Sequence, residues 1–142
     1  MTTSASGTIR KHKDMGIPLI DTQHQAIISI VNALEFLLDI DEADYYLTTT
    51  MNIINSYTKI HFAVEEELMK KAGYKGYATH KAIHERMVKE AYAAANQSLR
   101  THDPKMYLDF LKSWWVDHII DCDMDYQTSI KKYLQNEASQ GA

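Results

Sequence analysis

Apolar side chains recur at steps of three and four along most of this chain, with two prolines and five glycines as the only strong punctuation. That period belongs to helices and not to strands, whose pattern would alternate. Four helices follow. The first is expected to begin near Asp21, a side chain suited to an N-cap, and to place His24, Ile27, Val31, Leu34 and Leu38 on one face. The second runs from about Asp44 to Ala72, carries Leu47, Met51, Ile54, Thr58, His61, Glu65 and Leu68 in phase, and stops at Gly73 after Lys70 and Lys71, cations where a helix dipole favours them. The third covers roughly Tyr77 to Leu99 with His80, His84, Met87, Ala91 and Ala94 on its stripe. The fourth opens with Asp103 as cap and Pro104 as first helical residue. It continues through Tyr107, Leu111, Trp114 and His118 to about Gln135. Residues 1–16 read as an arm, 17–135 as one helical domain, and 136–142 as a flexible tail.

The unusual members of these stripes are histidines. Five of the seven, His24, His61, His80, His84 and His118, lie in phase with the apolar positions and therefore face the core; His12 and His102 do not and are expected in solvent. Residues four apart project from one face about one turn apart, so His61 with Glu65, and His80 with His84, each aim two donor atoms at a common point. A single buried histidine is usually a hydrogen-bonded core residue. Five of them with acids, left unpaired in one small bundle, would each cost about 1 to 3 kcal/mol against a total stability of about 5 to 15. A metal turns the same groups into ligands. Five imidazoles and at least two carboxylates exceed what one tetrahedral zinc takes, and suit two borderline ions such as Fe(II) bridged by carboxylates. One cysteine, Cys122, leaves no thiolate cluster for an iron–sulfur centre, and no calcium-type acidic loop is present.

Composition narrows the partners. At 142 residues the chain has the length of one domain that needs no disulfide staple. A formal net charge of -4 with scattered Lys and Arg offers no basic field for nucleic acid. The opening segment has no apolar signal core, and nothing approaches the roughly 20 apolar residues of a membrane span. The expectation is a cytoplasmic protein with neither nucleic-acid nor membrane partner.

Four segments, IDTQHQAI around His24, HFAVEEELM around His61, HKAIHERM around His80 and His84, and HIIDCDMDY around His118, together resemble the bacterial hemerythrins over roughly residues 17–134. The resemblance implies an all-α, up-down-up-down four-helix bundle, the topology of the family's relative myohemerythrin. It also implies reversible binding of dioxygen at two iron ions, Fe2+ or Fe3+, joined by an oxo or hydroxo bridge. Position by position, His80, His84 and His118 resemble the terminal ligands of one iron, His24 and His61 those of the other, and Glu65 and Asp123 the bridging carboxylates. Counting ligands on that pattern leaves the open coordination position on the iron of His24 and His61. Asp123 follows the family's spacing and not the helical phase. Five residues beyond His118 it is rotated by about 140° on a regular helix, so either the helix widens there, as in a π-bulge, or the bridge approaches from another side. Asp117, Asp121, Asp125, Glu66 and Glu67 are then a solvated acidic face, and Cys122 a small filler.

The resemblance further implies an apolar dioxygen pocket, here Ile27, Phe62, Trp115 and Ile119. The chain departs from the family's pattern in two places: Met15 and Gly16 stand where a tryptophan is frequent, and Trp115 where a leucine is common. Trp115 is read either as reshaping the pocket or as packing between helices. The functional expectation is a binding protein and not an enzyme, an oxygen carrier or store or else an oxygen-sensing domain with a signalling partner or output domain. The alternative is a di-iron oxidase or peroxide-consuming enzyme, disfavoured by the imidazole-rich ligand set and by the lack of an identifiable proton donor.

Overall fold

The computed structural model describes residues 16–118 and 126–140, and among these it is five helices and no strand. Helix α1 spans Pro18–Asp39, α2 Ala43–Lys71, α3 Tyr77–Thr101, α4 Pro104–Asp117 and α5 Gln127–Gln140. Each of α1 to α4 packs on the next and α4 packs back on α1, closing a ring. The connections between them are a few residues long, so neighbours run antiparallel and the ring is an up-down-up-down four-helix bundle. Helix α5 packs on α2 and extends the bundle at one end.

The short connections have a common device. Asp41, Gly73 and His102 each take a left-handed conformation, with φ of 60°, 66° and 52°. The amide of the next residue then reaches back across the helix end: Glu42 N to Leu37 O at 2.8 Å, Tyr74 N to Met69 O at 3.0 Å, Asp103 N to Ser98 O at 3.0 Å. These bonds satisfy carbonyls that the helix end leaves over and turn the chain sharply. Gly73 falls where the sequence pattern puts a stop; His102, exposed as expected, acts as the left-handed residue of its turn. Asp103 caps α4 through its carboxylate, which accepts the Met106 N–H at 3.1 Å, with Pro104 first in the helix.

Three expectations are corrected. Helix α1 starts at Pro18, not Asp21, because proline at the first helical position gives up an N–H that would have no partner there anyway. Asp21 sits in the first turn and its carboxylate accepts the Gly16 N–H at 3.1 Å. The fourth helix is not one regular rod: α4 is described to Asp117, His118 takes a π-type turn, and α5 begins at Gln127. The tail beyond Gln135 is helical through Gln140, since no proline or glycine interrupts Asn136–Gln140.

Two apolar clusters hold the bundle. The larger gathers Ile27, Val31, Leu34, Leu47, Met51, Ile54, Phe62, Met87, Ala91, Tyr107, Leu111, Trp114 and Trp115, among others, from α1 to α4. The smaller joins Ile17, Ile20, Met69, Tyr126 and Ile130, where α5 meets α1 and α2. The buried stripes drift from the positions counted in the sequence: Met69 is buried in place of Leu68 and Ala95 in place of Ala94. A period of 3.6 slips against steps of three and four over long helices. Lys112 on α4 donates to Glu35 on α1, an ion pair largely out of water that pins the closing contact of the ring. No helix among the described residues is long and apolar enough to cross a membrane.

Candidate metal centre

Between the two apolar clusters lies a polar layer. His24, His61, Glu65, His80, His84 and His118 are all buried, none more than 3 % exposed. Helix α1 supplies His24, α2 supplies His61 and Glu65 one turn apart, α3 supplies His80 and His84 one turn apart, and α4 ends at His118. Their donor atoms form two groups in which every atom lies within 4.8 Å of the others: Glu65, His80, His84 and His118, and His24, His61 and Glu65. Glu65 belongs to both.

The carboxylate is the centre of the layer. Its Oε1 is 3.0 Å from His61 Nε2, 3.4 Å from His84 Nε2 and 3.8 Å from His118 Nε2. Its Oε2 accepts the Tyr126 hydroxyl. Adjacent ligands on one ion, at bonds of about 2.0 to 2.1 Å, stand about 3 Å apart, so the closer spacings are those of groups sharing an ion. A carboxylate at 0 % exposure is expensive without a positive partner or hydrogen bonds, and the ring of imidazole nitrogens is where a cation would supply the missing charge. The donor set, imidazole with carboxylate, fits iron.

Two of the imidazoles are fixed from behind. His61 Nδ1 meets the Gln23 side-chain oxygen at 2.7 Å and His84 Nδ1 meets a Glu66 oxygen at 2.8 Å. Both partners offer acceptor oxygens, so each Nδ1 carries the proton and donates, and each Nε2 presents its lone pair toward Glu65. Glu66 is therefore not part of a solvated acidic face, as its sequence position suggested; Glu67 is exposed. Helical spacing does not single out Gln23, Glu66 or Tyr126 as site residues. The signals are nonetheless in the chain: a glutamine directly before His24, three glutamates in a row after His61, and the tyrosine of the family's last motif.

The expected pocket residues divide. Trp115 is 0 % exposed and its indole lies 5.5 Å from the His61 ring and 6.4 Å from that of His24, between centroids. Phe62 stacks flat on His84, at 3.8 Å and 6°, and also borders His61 and His118. Ile27 is buried in the same cluster as both. Asp123 and Ile119, with Asp121, Cys122 and Asp125, lie outside the described residues, as does His12; the π-type turn at His118 stands at the point where a widening was one of the two ways to bring Asp123 round.

The chain has clear relatives. The profile of the hemerythrin HHE cation binding domain matches residues 15–127. A bacteriohemerythrin of Stenotrophomonas maltophilia (strain R551-3) is 33 % identical over 132 residues, covering 88 % of this chain and 82 % of the relative. A bacteriohemerythrin of Clostridium acetobutylicum is 28 % identical, over 80 % of this chain and 92 % of the relative. A hemerythrin-like protein of Naegleria gruberi is 26 % identical, over 76 % and 80 %. With the matched domain running from the start of α1 to that of α5, the chain belongs to the hemerythrin family, on its bacterial, hemerythrin-like side.

Proposed function

We propose that this protein binds dioxygen reversibly at a pair of non-heme irons, as a binding protein and not an enzyme. The observation that carries the reading is the pair of buried donor groups sharing one carboxylate, Glu65. His80, His84 and His118 would hold one iron, His24 and His61 the other, with Glu65 spanning them and Asp123 as the second carboxylate. Held by these residues, a pair of ferrous ions would supply the two electrons that reversible dioxygen binding needs.

The chain's own residues do the rest. Gln23 and Glu66 hold His61 and His84 in the tautomer whose Nε2 lone pair faces the layer. The His24 and His61 side supplies one imidazole fewer, which leaves room for an exogenous ligand. Ile27, Phe62 and Trp115 keep that room out of contact with water, and a dry surrounding slows loss of the bound ligand to side reactions. The Tyr126 hydroxyl, an acid that could have served oxidase chemistry, is held by Glu65. A carrier or store and a sensing domain share this chemistry and differ in whether another protein reads the ligated state.

The test is metal analysis with an optical titration. Iron-replete protein should carry two irons per chain, as in other di-iron bundles, and develop a visible charge-transfer band on exposure to air that fades under argon over repeated cycles. One iron per chain, stoichiometric zinc, or a single irreversible oxidation at first exposure would sink the reading.

A further inference from the structure

Trp115 carries a group that its surroundings do not use. The indole is wholly buried, packed against His61, His118 and His24 at 5.5, 5.9 and 6.4 Å between ring centroids. Its N–H can only donate, and among the described residues it has no hydrogen-bond acceptor. Buried indole N–H groups ordinarily find one, because an unpaired donor forfeits its hydration with nothing in return. Leucine or phenylalanine would meet the same neighbours without that loss. The adjacent Trp114 N–H also has no acceptor among the described residues, but its ring neighbours are Phe62, Phe110 and Trp115, an apolar setting apart from the imidazoles. Trp115 alone of the two stands beside the layer where a small ligand would enter.

We propose that the Trp115 N–H is a hydrogen-bond donor to the small ligand bound on the His24 and His61 side, and that it biases the site toward ligands with a negatively charged or electron-rich terminal atom. The inference rests on the di-iron reading above and makes Trp115 a specificity-determining residue, not a filler. A linear anion such as azide presents an acceptor atom at its far end and is the natural probe. A hydrogen bond to a charged acceptor in a site closed to water corresponds to about a tenfold to hundredfold gain in affinity.

The test uses the iron-loaded, diferric protein and azide. Trp115→Phe keeps an aromatic ring and removes the donor together with part of the indole's volume; it should retain both irons and weaken azide binding at least about tenfold, from the optical titration. Independently of any variant at this position, the ultraviolet resonance Raman band that reports indole N–H hydrogen bonding should shift when azide is added to the unmodified protein. Trp114→Phe, which leaves Trp115 the sole tryptophan, should retain that shift. Azide affinity unchanged in Trp115→Phe with both irons present, or an indole band indifferent to azide, overturns the proposal and leaves Trp115 a space-filling ring whose N–H faces away from the ligand. An unmodified protein that holds no iron pair overturns the underlying reading instead, so the two failures are distinct.

Discussion

On one side of Glu65, His84 leans on a carboxylate; on the other, His61 leans on an amide. The two contacts are nearly equal in length, 2.8 Å from Glu66 and 2.7 Å from Gln23, and both fix a tautomer. They differ in charge. A carboxylate behind an imidazole pulls on the Nδ1 proton and makes the opposite nitrogen a stronger donor, whereas an amide orients the ring with much less of that effect. The stronger backing stands on the side with three imidazoles, and the neutral backing on the side with two, where the Trp115 indole also lies. On the proposed reading, the three-imidazole side would be the anchored half and the two-imidazole side the exchangeable one.

Both halves should fail together at the carboxylate that lies outside the described residues. If Asp123 spans them as Glu65 does, Asp123→Ala should eliminate the iron pair, while Asp121→Ala should leave iron content close to the parent's. Iron analysis of the two variants decides it, and the reverse result would show that helical phase, which puts Asp121 three residues on and only about 60° from the face of His118, was the better guide. A smaller effect tests the charge difference itself. Glu66→Gln should weaken metal binding by about tenfold to a hundredfold in chelator competition, and Gln23→Glu should strengthen the other half and lower the reduction potential of the pair. If neither variant changes affinity or potential, the two backing contacts only orient their rings and the halves are electronically alike.

The smallest effect lies away from the site. Tyr107 is fully buried, its hydroxyl has no hydrogen-bond partner among the described residues, and burial pushes its phenol well above the ordinary value. Below the ordinary value of about 10, the phenol is neutral in folded and unfolded chains alike, and this group's contribution is fully present. As pH rises through about 10 the unfolded chain releases the proton and the folded chain does not, so stability falls from there upward. Tyr107→Phe should change stability at neutral pH by no more than about 1 kcal/mol and flatten that alkaline decline, measured by denaturant titration at a series of pH values. An undiminished decline in the variant would assign it to other groups.

The ring of helices and the five inward histidines were legible because both depend on spacing within one element. His61 with Glu65 and His80 with His84 need only the helical period to be placed together. Gln23 and Glu66 were not legible as positioning residues, because each acts on a histidine of another helix, 38 and 18 residues away, and spacing says nothing about such a meeting. The same holds for Tyr126, which reaches Glu65 from 61 residues away. Local chemistry misplaced the start of α1, where Pro18 outweighed Asp21, and period alone carried the fourth helix straight through the π-type turn at His118. Trp115 could be placed beside His118 by the sequence, but its contact with His24 and His61 belongs to the packing of α4 against α1 and α2.

Because one carboxylate serves both donor groups, two ions entering this layer do not bind independently. The first to arrive would meet the full charge of Glu65, whose second oxygen is held by Tyr126. An ion arriving later would meet a carboxylate whose charge is already partly offset and a like charge across it. Loading of the two groups would therefore be coupled through Glu65, and filling or emptying one would change the affinity of the other.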